Sequence, residues 1–581
     1  MSTQTSSEPR MGDTAVLVAI GLIATGAVGH WLVANLATLI ARRRRLNVTV
    51  GEAVAALRRL PDHWGDPRHA WPEPVASQLP GPVVYWISIL IVVGALIGLV
   101  VAALMLRSRR HEPADKRRRV GVATQARLAR ARDLRPLLTR RPEPGRFVLA
   151  RWRSRYLSTE ADVYRRRRGV RGAVIVFGPS QSGKTTGLIM GVEAWDGPAI
   201  VSSVKTDLMR ATLPARQHMG DVKVFDPVGM SGMTTATWTP LGAARDLRGA
   251  LAAAQILARA AGDGPAHDRF WRGQAEQLIA SLLWTAANTE GHSMANVVKW
   301  VMELDRPEGD SGGTVAPLVR LLTDHTDPAV AMAARKVQGW LHGHWATDPR
   351  TSASIYITAR DALWPWADPD IESSAESCDI TLDWLLGAKN TLYLCAPLGD
   401  ETRIGIVFAV LMGDLITQAF NRYNRTGEPI DPRLLMMADE AANTPMPKLP
   451  RWASTVTGAG IQLVDVWQSK AQLEQLFGRD ADTVLTNHRT QVIYPSGLSD
   501  SATTEYLGGL LGTEHVRSDL DEPTWSGVGG GPPRSPGSAV PFLSPNVLRQ
   551  MRVGDALVVH GDLPPAWVRA PRYRRRSKRG R

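Results

Sequence analysis

Only two cysteines, Cys378 and Cys395, occur in 581 residues, and only ten of the 69 basic residues are lysine. Two unclustered thiols exclude a disulfide framework and a cysteine-based metal site, and they suit a reducing cytosol. Both are expected in the core. The scarcity of lysine reads as the coding bias of a GC-rich genome. Charge of either sign is missing over the 28 residues Thr14–Ala41 and the 32 residues Val75–Leu106. Acidic charge is missing from 566–581, which carry eight basic side chains. No internal repeat is visible, and only one stretch has the form of a phosphate-binding glycine loop.

Each uncharged run exceeds the roughly 20 apolar residues needed to cross about 30 Å of hydrocarbon. The second, "PVVYWISILIVVGALIGLVVAALML", places Tyr85 and Trp86 at its interfacial end. The first is interrupted by His30, Trp31 and Asn35. It has neither a basic leader nor an A-x-A cleavage pattern, so it reads as an uncleaved anchor. "RSRRHEPADKRRR" (107–119) is a positive-inside flank for everything after Leu106, whereas "RRRR" (Arg42–Arg45) pulls the other way. Two crossings with a cytosolic C-terminal body best reconcile the two.

The net charge of +14 is unevenly placed: +2 over 1–106, +16 over 107–171 and +8 over 566–581, leaving −12 for 172–565. The basic belt 107–171, with helical stretches such as "ATQARLARARDLRPLLTRR", reads as a solvated linker held to anionic lipid, each surface cation contributing about 1 kcal/mol. Contact with nucleic acid is the sharper reading of the same charge.

From Gly172 the pattern is α/β. "GAVIVFG", "GPAIVSSV", "VKVFDP" (222–227), "TLYLCAP" (391–397), "RLLMMADE" (433–440), "GIQLVDVWQ" (460–468) and "TQVIYPSG" (490–497) read as buried strands of a parallel sheet covered on both faces, with "DALVVHGDLPPAWVRAP" as a closing strand. Between Leu241 and Asp379 the apolar residues fall at helical spacing instead. "SGVGGGPPRSPGS" (526–538) reads as a flexible loop, "DLDEP" (519–523) as surface acid and "HDRFW" (267–271) as core aromatic.

"GPSQSGKTT" (Gly178, Pro179, Ser180, Gln181, Ser182, Gly183, Lys184, Thr185, Thr186) follows a strand and opens a helix. Glycines let such a loop turn its N–H groups and the helix N-terminus toward phosphates. Lys184 would reach the β- and γ-phosphates of ATP, and the Thr185 hydroxyl would hold Mg²⁺. The apolar run ending in Asp439 and Glu440 puts both carboxylates at the carboxyl edge of the sheet. Asp439 would anchor Mg²⁺ through water and Glu440 would polarise the attacking water. Gln468 ends the next strand as a candidate γ-phosphate sensor. Arg403, Arg451 and Arg489 are candidates, from sequence position alone, for a cation donated to a neighbouring subunit.

In order along the chain, two membrane runs, "GPSQSGKTTG", "SSVKTDL", "VFDPVG", a helical region opening near "WTPL", "LLMMADEAANT" and "DVWQSKAQLEQLFG" resemble the type IV coupling proteins, the TraG/TraD class of conjugation ATPases. That resemblance implies a RecA-like P-loop NTPase carrying an all-α insertion that recognises substrate, assembled as a homohexamer on the plasma or inner membrane. It also implies delivery of a relaxase–DNA complex, or a secreted protein, to the components of a type IV secretion channel. The family's D-x-K-G-[DE] stretch reads Ser203-Val204-Lys205-Thr206-Asp207 here, without its first acid and its glycine.

The expected organisation is then a tail 1–13, transmembrane helix 14–41, loop 42–81, transmembrane helix 82–106, basic juxtamembrane segment 107–171, nucleotide-binding domain 172–240 and 380–565, all-α insertion 241–379, and basic tail 566–581. An FtsK-like double-stranded DNA translocase usually carries a C-terminal winged-helix module, for which the stretch after 565 is expected to leave no room. A type VII-like secretion ATPase would show tandem P-loops. Intact Lys184, Asp439 and Glu440 argue against a degenerate scaffold.

Overall fold

The computed structural model describes residues 11–570 apart from 45, 111–117, 120–121, 124–125, 162, 165–166, 169–170, 204, 261–265, 308–312, 397–398, 400, 445 and 517–537. The expected surface acid at 519–523, nearly all of the glycine-rich loop 526–538 and most of the basic tail lie outside these residues. The chain divides into two compact units, Met1–Thr124 and Gln125–Arg581.

In the first unit, helix α1 (Met11–Arg42) packs with α2 (Val50–Arg59) and α3 (Pro82–Arg110). The expected loop 42–81 is folded. Thr49 and Glu52 form a reciprocal capping box that starts α2, and Ala53 and Ala56, three residues apart, turn inward with Leu46, Trp71, Val75 and Leu79. The Trp71 indole N–H donates to the Tyr85 hydroxyl at 2.7 Å, and His30 Nε2 lies 3.3 Å from that hydroxyl. The His30, Trp31 and Asn35 that interrupt the first apolar run therefore include a packing group. Pro82–Leu99 is long and apolar enough to cross a membrane and is only 11% buried, with Leu90 and Leu99 each about 70% exposed.

The second unit is built on a 12-stranded sheet. In chain order its strands are β1 (Leu138–Thr139), β2 (Val148–Trp152), β3 (Arg155–Ser158), β4 (Val174–Phe177), β5 (Ala199–Ser203), β6 (Val222–Phe225), β7 (Thr391–Cys395), β8 (Leu434–Ala438), β9 (Ile461–Trp467), β10 (Thr490–Ile493), β11 (Asp555–His560) and β12 (Ala566–Arg569). Their spatial order is β6-β7-β5-β8-β9-β4-β10-β11-β12-β2-β3-β1. The run from β6 to β10 is parallel and the rest antiparallel.

The parallel strands are unbroken apolar runs because helices cover both faces. In β4, Ile175 and Phe177 enter one core while Val174 and Val176 enter the other. Leu434, Met436 and Ala438 of β8 join the first and Leu435 and Met437 the second, each fully buried. At about 1.5–3 kcal/mol per buried aliphatic side chain, this packing holds the carboxyl ends of β4, β8 and β9 in fixed register.

Two expectations change here. Residues 125–160 are not a helical linker: they contribute β1, β2 and β3 to the sheet. Leu134, Leu137, Phe147, Leu149 and Leu157 are buried, while Arg151, Arg153 and Arg155 point outward and give the segment its basic composition. The closing strand is a hairpin, β11 with β12, that joins this addition to β10.

On one face lie α4 (Lys184–Glu193) and α5 (Thr206–Gln217). Phe147 presses on α4 so closely that a Cβ at Gly191 would stand 2.3 Å from its ring. Every element described between Leu241 and Asp379 is helical, chiefly α6 (Leu247–Ala260), α7 (Ala266–Ala287), α8 (Met294–Met302), α9 (Val315–Thr323), α10 (Pro328–Trp345) and α11 (Pro349–Leu363). Leu257, Leu278, Leu283 and Trp284 continue the core of the sheet's other face. Helix α12 (Glu401–Thr426) is also long and apolar, but Ile404–Met412 are buried throughout, which makes it the core helix of this face. Cys395 is buried, whereas Cys378 is exposed in an irregular segment. Phe270 is likewise exposed rather than core, and Trp271 packs partly against the core.

Candidate nucleotide site

The loop Gly178–Gly183 leaves the carboxyl end of β4 and enters α4 at Lys184. The Gly178 N–H donates to the Trp467 carbonyl at 3.2 Å, which ties the loop to the end of β9 and brings Gln468, half-buried, to its edge. Gln181 and Gly183 have φ of +64° and +99°. These left-handed residues let the loop turn tightly into the N-terminus of α4, the kind of turn and helix end that can present backbone N–H groups to an anion. Ser180, Gln181 and Thr185 are exposed, and Pro179, Gly183 and Thr186 are half-buried.

Two features mark the hollow as built for an anion. Among the described residues the buried Ser182 hydroxyl has no hydrogen-bond partner, a costly arrangement for a group with no function. The Lys184 ammonium folds back to donate to the Gly178 carbonyl and lies 3.3 Å from the Pro179 carbonyl. Burial lowers its pKa; the charges of Asp439 and Glu440 oppose that, and Lys205 adds to it.

Asp439 and Glu440 follow β8, where the structure sets them within electrostatic reach of Lys184. Among the described residues the Asp439 side chain accepts one hydrogen bond, from the Ser203 hydroxyl at 3.2 Å. Burial, and then the Glu440 charge, raise its pKa to about 6, against the pull of Ser203, Lys184 and Lys205. Glu440 has φ +60°, an uncommon conformation for a residue with a side chain. Its carboxylate accepts from Asn443 Nδ2 at 3.3 Å and lies 3.9 Å from Lys205 Nζ. Two adjacent carboxylates beside the glycine loop, only partly offset by Lys184 and Lys205, are groups that could hold a divalent cation next to bound phosphates.

The other expected residues separate. Arg403 pairs with Asp368 at 2.6 Å. Arg489 precedes β10 at the sheet's opposite edge, 3.7 Å from Glu160 and 3.9 Å from Asp562. Arg451 is exposed at the start of a short helix, Leu449–Thr455.

Residues 141–573 match the family described as type IV secretory system conjugative DNA transfer. The chain belongs to this family. It is 25% identical over 370 residues to the conjugal transfer protein TraG of Escherichia coli, a match that covers 59% of this chain and 55% of that protein, so it spans about half the length of this curated relative. Solved structures of the conjugative coupling protein TrwB share its fold. The trigonal form in complex with sulphate aligns with TM-score 0.56 at 15% identity, over 77% of this chain and 94% of that one. The complex with ADP and Mg²⁺ aligns with TM-score 0.52 at 15% identity, over 69% and 85%.

Sequence reasoning missed Asp465 and His488. His488 Nε2 and Asp465 Oδ1 are 2.6 Å apart, the Trp467 indole N–H donates to Asp465 Oδ2 at 2.6 Å, and both side chains of the ion pair are wholly buried. An acid inside the apolar run "QLVDVW" was the available signal.

Proposed function

We propose that this chain is a membrane-anchored ATPase motor of conjugative transfer, with ATP and Mg²⁺ at the Lys184–Asp439–Glu440 site. The observation that carries the reading is the convergence of a glycine loop, the unpartnered Ser182 hydroxyl, Lys184 and two adjacent carboxylates at one sheet edge. Gly178, Pro179, Ser180, Gln181, Ser182, Gly183, Lys184, Thr185 and Thr186 cradle the phosphates, Thr185 and Asp439 hold the cation, and Glu440 orients and deprotonates water for in-line attack. When bound, Mg²⁺ neutralises charge on the β- and γ-phosphate oxygens. Gln468, next to the Trp467 carbonyl that anchors the loop, couples the γ-phosphate to β9.

Family membership and the likeness to coupling proteins support a homohexamer at the cell membrane that passes a relaxase–DNA complex or a protein to the channel of a type IV secretion system. Helices α1 and α3 are the two anchors, the ATPase unit is cytoplasmic, and the helices between Leu241 and Asp379 recognise the cargo. Lys184→Ala is the test. ATP hydrolysis should fall to background and mating donors should lose DNA transfer, while the protein still inserts in the membrane. Normal transfer by that variant refutes the motor.

A further inference from the structure

The turn Arg552–Asp555, between the short helix Pro545–Arg549 and β11, touches the phosphate loop directly. The Gly554 N–H donates to the Ser182 carbonyl at 2.9 Å, and the Gly554 carbonyl accepts from the Ala570 N–H at 2.7 Å. The Asp555 N–H closes the turn onto the Arg552 carbonyl at 2.9 Å, and Arg569 Nε holds the Asp555 carboxylate at 2.6 Å. The contact is backbone against backbone. A Cβ on Gly183 would stand 2.8 Å from both Gly554 N and Gly554 Cα, and both glycines have positive φ, +99° and +86°. At Gly183 only a residue without a Cβ allows this approach, while at Gly554 the positive φ alone favours glycine.

That contact fixes the neighbouring side chain. Val553 Cγ1 comes within 3.6 Å of the same point beside Gly183, yet Val553 is 66% exposed. A tightly anchored turn thus holds an aliphatic group in solvent at the rim of an anion cradle.

The strand order says which part of a ligand meets it. Seen from β4, which carries the cradle, Asp439, Glu440 and Ser203 lie on the side of β9, β8 and β5, whereas β10 and β11 lie on the other. The carboxylates mark where the terminal phosphate and its cation sit. The α-phosphate and its nucleoside therefore leave toward β10 and β11, where Val553 stands.

We infer that the Arg552–Gly554 turn is the nucleoside-side wall of the site, with Val553 the apolar platform for the sugar and base of a bound nucleoside triphosphate. The inference rests on the nucleotide reading above and assigns the side of the site that holds the nucleoside. An aliphatic surface offers the base no hydrogen bond, so the wall holds adenine and guanine nucleotides alike.

Binding to the full-length, detergent-solubilised protein tests it, by calorimetry with Mg²⁺ and either ATP, GTP or inorganic tripolyphosphate. Val553→Ser should weaken ATP and GTP about fivefold, the worth of part of an aliphatic side chain, and leave tripolyphosphate within about twofold. Val553→Ile, which keeps an aliphatic group there, should retain nucleotide affinity. Unchanged ATP affinity in Val553→Ser, or equal weakening of ATP and tripolyphosphate, overturns the platform while leaving the cradle standing. A wild-type protein that binds neither ATP nor tripolyphosphate overturns the nucleotide reading and this inference with it.

Discussion

Asp439, the residue just after β8, and Asp465 of β9 stand one residue apart in register, Ala438 lying opposite Asp465, yet they are opposite kinds of carboxylate. Asp465 has no exposure, and both its oxygens are engaged, one by His488 and the other by Trp467. Asp439, half-buried at the cleft, has one described hydrogen bond, from Ser203. The first is a closed electrostatic unit with nothing left to offer a ligand. The second keeps most of its lone pairs unused beside Lys184 and Glu440, and burial against apolar β8 resists its ionisation. The difference separates a structural buried charge from one held ready for a cation, and it does so by hydrogen-bond satisfaction rather than by residue type.

Removing Asp465 should do the most damage. Asp465→Ala leaves the buried His488 Nε2 without its partner, Nδ1 keeping only the Val484 carbonyl, and should cost about 3–5 kcal/mol of unfolding free energy, read by chemical denaturation of the second unit in the full chain. If stability is unchanged, the closed-unit reading fails. Asp439→Asn should do the reverse. Turnover of ATP should drop about a hundredfold or more, as when a charge-stabilising group is lost from a transition state, while stability holds or rises because a poorly compensated carboxylate is gone. A variant that unfolds instead would make Asp439 a second structural aspartate.

The pair also predicts a pH dependence. Burial opposes charging of His488, but the charge and hydrogen bond of Asp465, with the Val484 carbonyl on Nδ1, outweigh it and raise the pKa above 6.5. A histidine whose folded pKa is raised binds its proton more tightly when folded. Its stabilising contribution is therefore complete below pH 6.5 and is lost as pH climbs through the raised value. Unfolding free energy of the wild type minus that of His488→Gln should be flat in acid and fall on the alkaline side. A difference that is level across that range would mean the ring is neutral in the folded state.

The half of the comparison that bears on function was legible in the sequence. A continuous apolar run ending in Asp439-Glu440, a glycine loop between strand and helix, and "LVDVWQ" each declare their position because parallel strands buried on both faces must be apolar throughout. The structural half was not. Asp465 and His488 meet only through the packing of β9 against the turn before β10, and no local pattern records that partnership. Strands β2 and β3 were hidden for a different reason. Their outward residues are arginines, so "VLARWRSRYLS" reads by composition as a solvated basic linker even though Val148, Leu149, Ala150 and Leu157 are buried. The fold of 42–81 was written in the Thr49–Glu52 capping box and in Ala53 and Ala56, signals outweighed by the four arginines that precede them. Gly554 carries no signal at all: its contact with Gly183 joins distant parts of the chain through backbone alone.

The mildest perturbation tests how Asp439 is kept in place. Its one described partner is the Ser203 hydroxyl, which also accepts from the Lys205 N–H at 3.3 Å and so links the carboxylate to the segment that carries Lys205. Ser203 stands where the resembled family's stretch begins with an acid. A third carboxylate there would add to the repulsion between Asp439 and Glu440, whereas a hydroxyl can donate to one of them and fix its rotamer. Ser203→Ala removes the donor without adding charge or bulk. The expected result is a loss of about 1 kcal/mol, roughly fivefold, in the apparent affinity for Mg²⁺ during ATP turnover. The limiting rate at saturating Mg²⁺ should barely change, because the carboxylate remains and is merely less well positioned. Ser203→Thr, which keeps the hydroxyl, should recover the affinity. If Ser203→Ala lowers the limiting rate and leaves the Mg²⁺ dependence untouched, Ser203 acts on the chemistry rather than on Asp439, and the open carboxylate is held by packing alone.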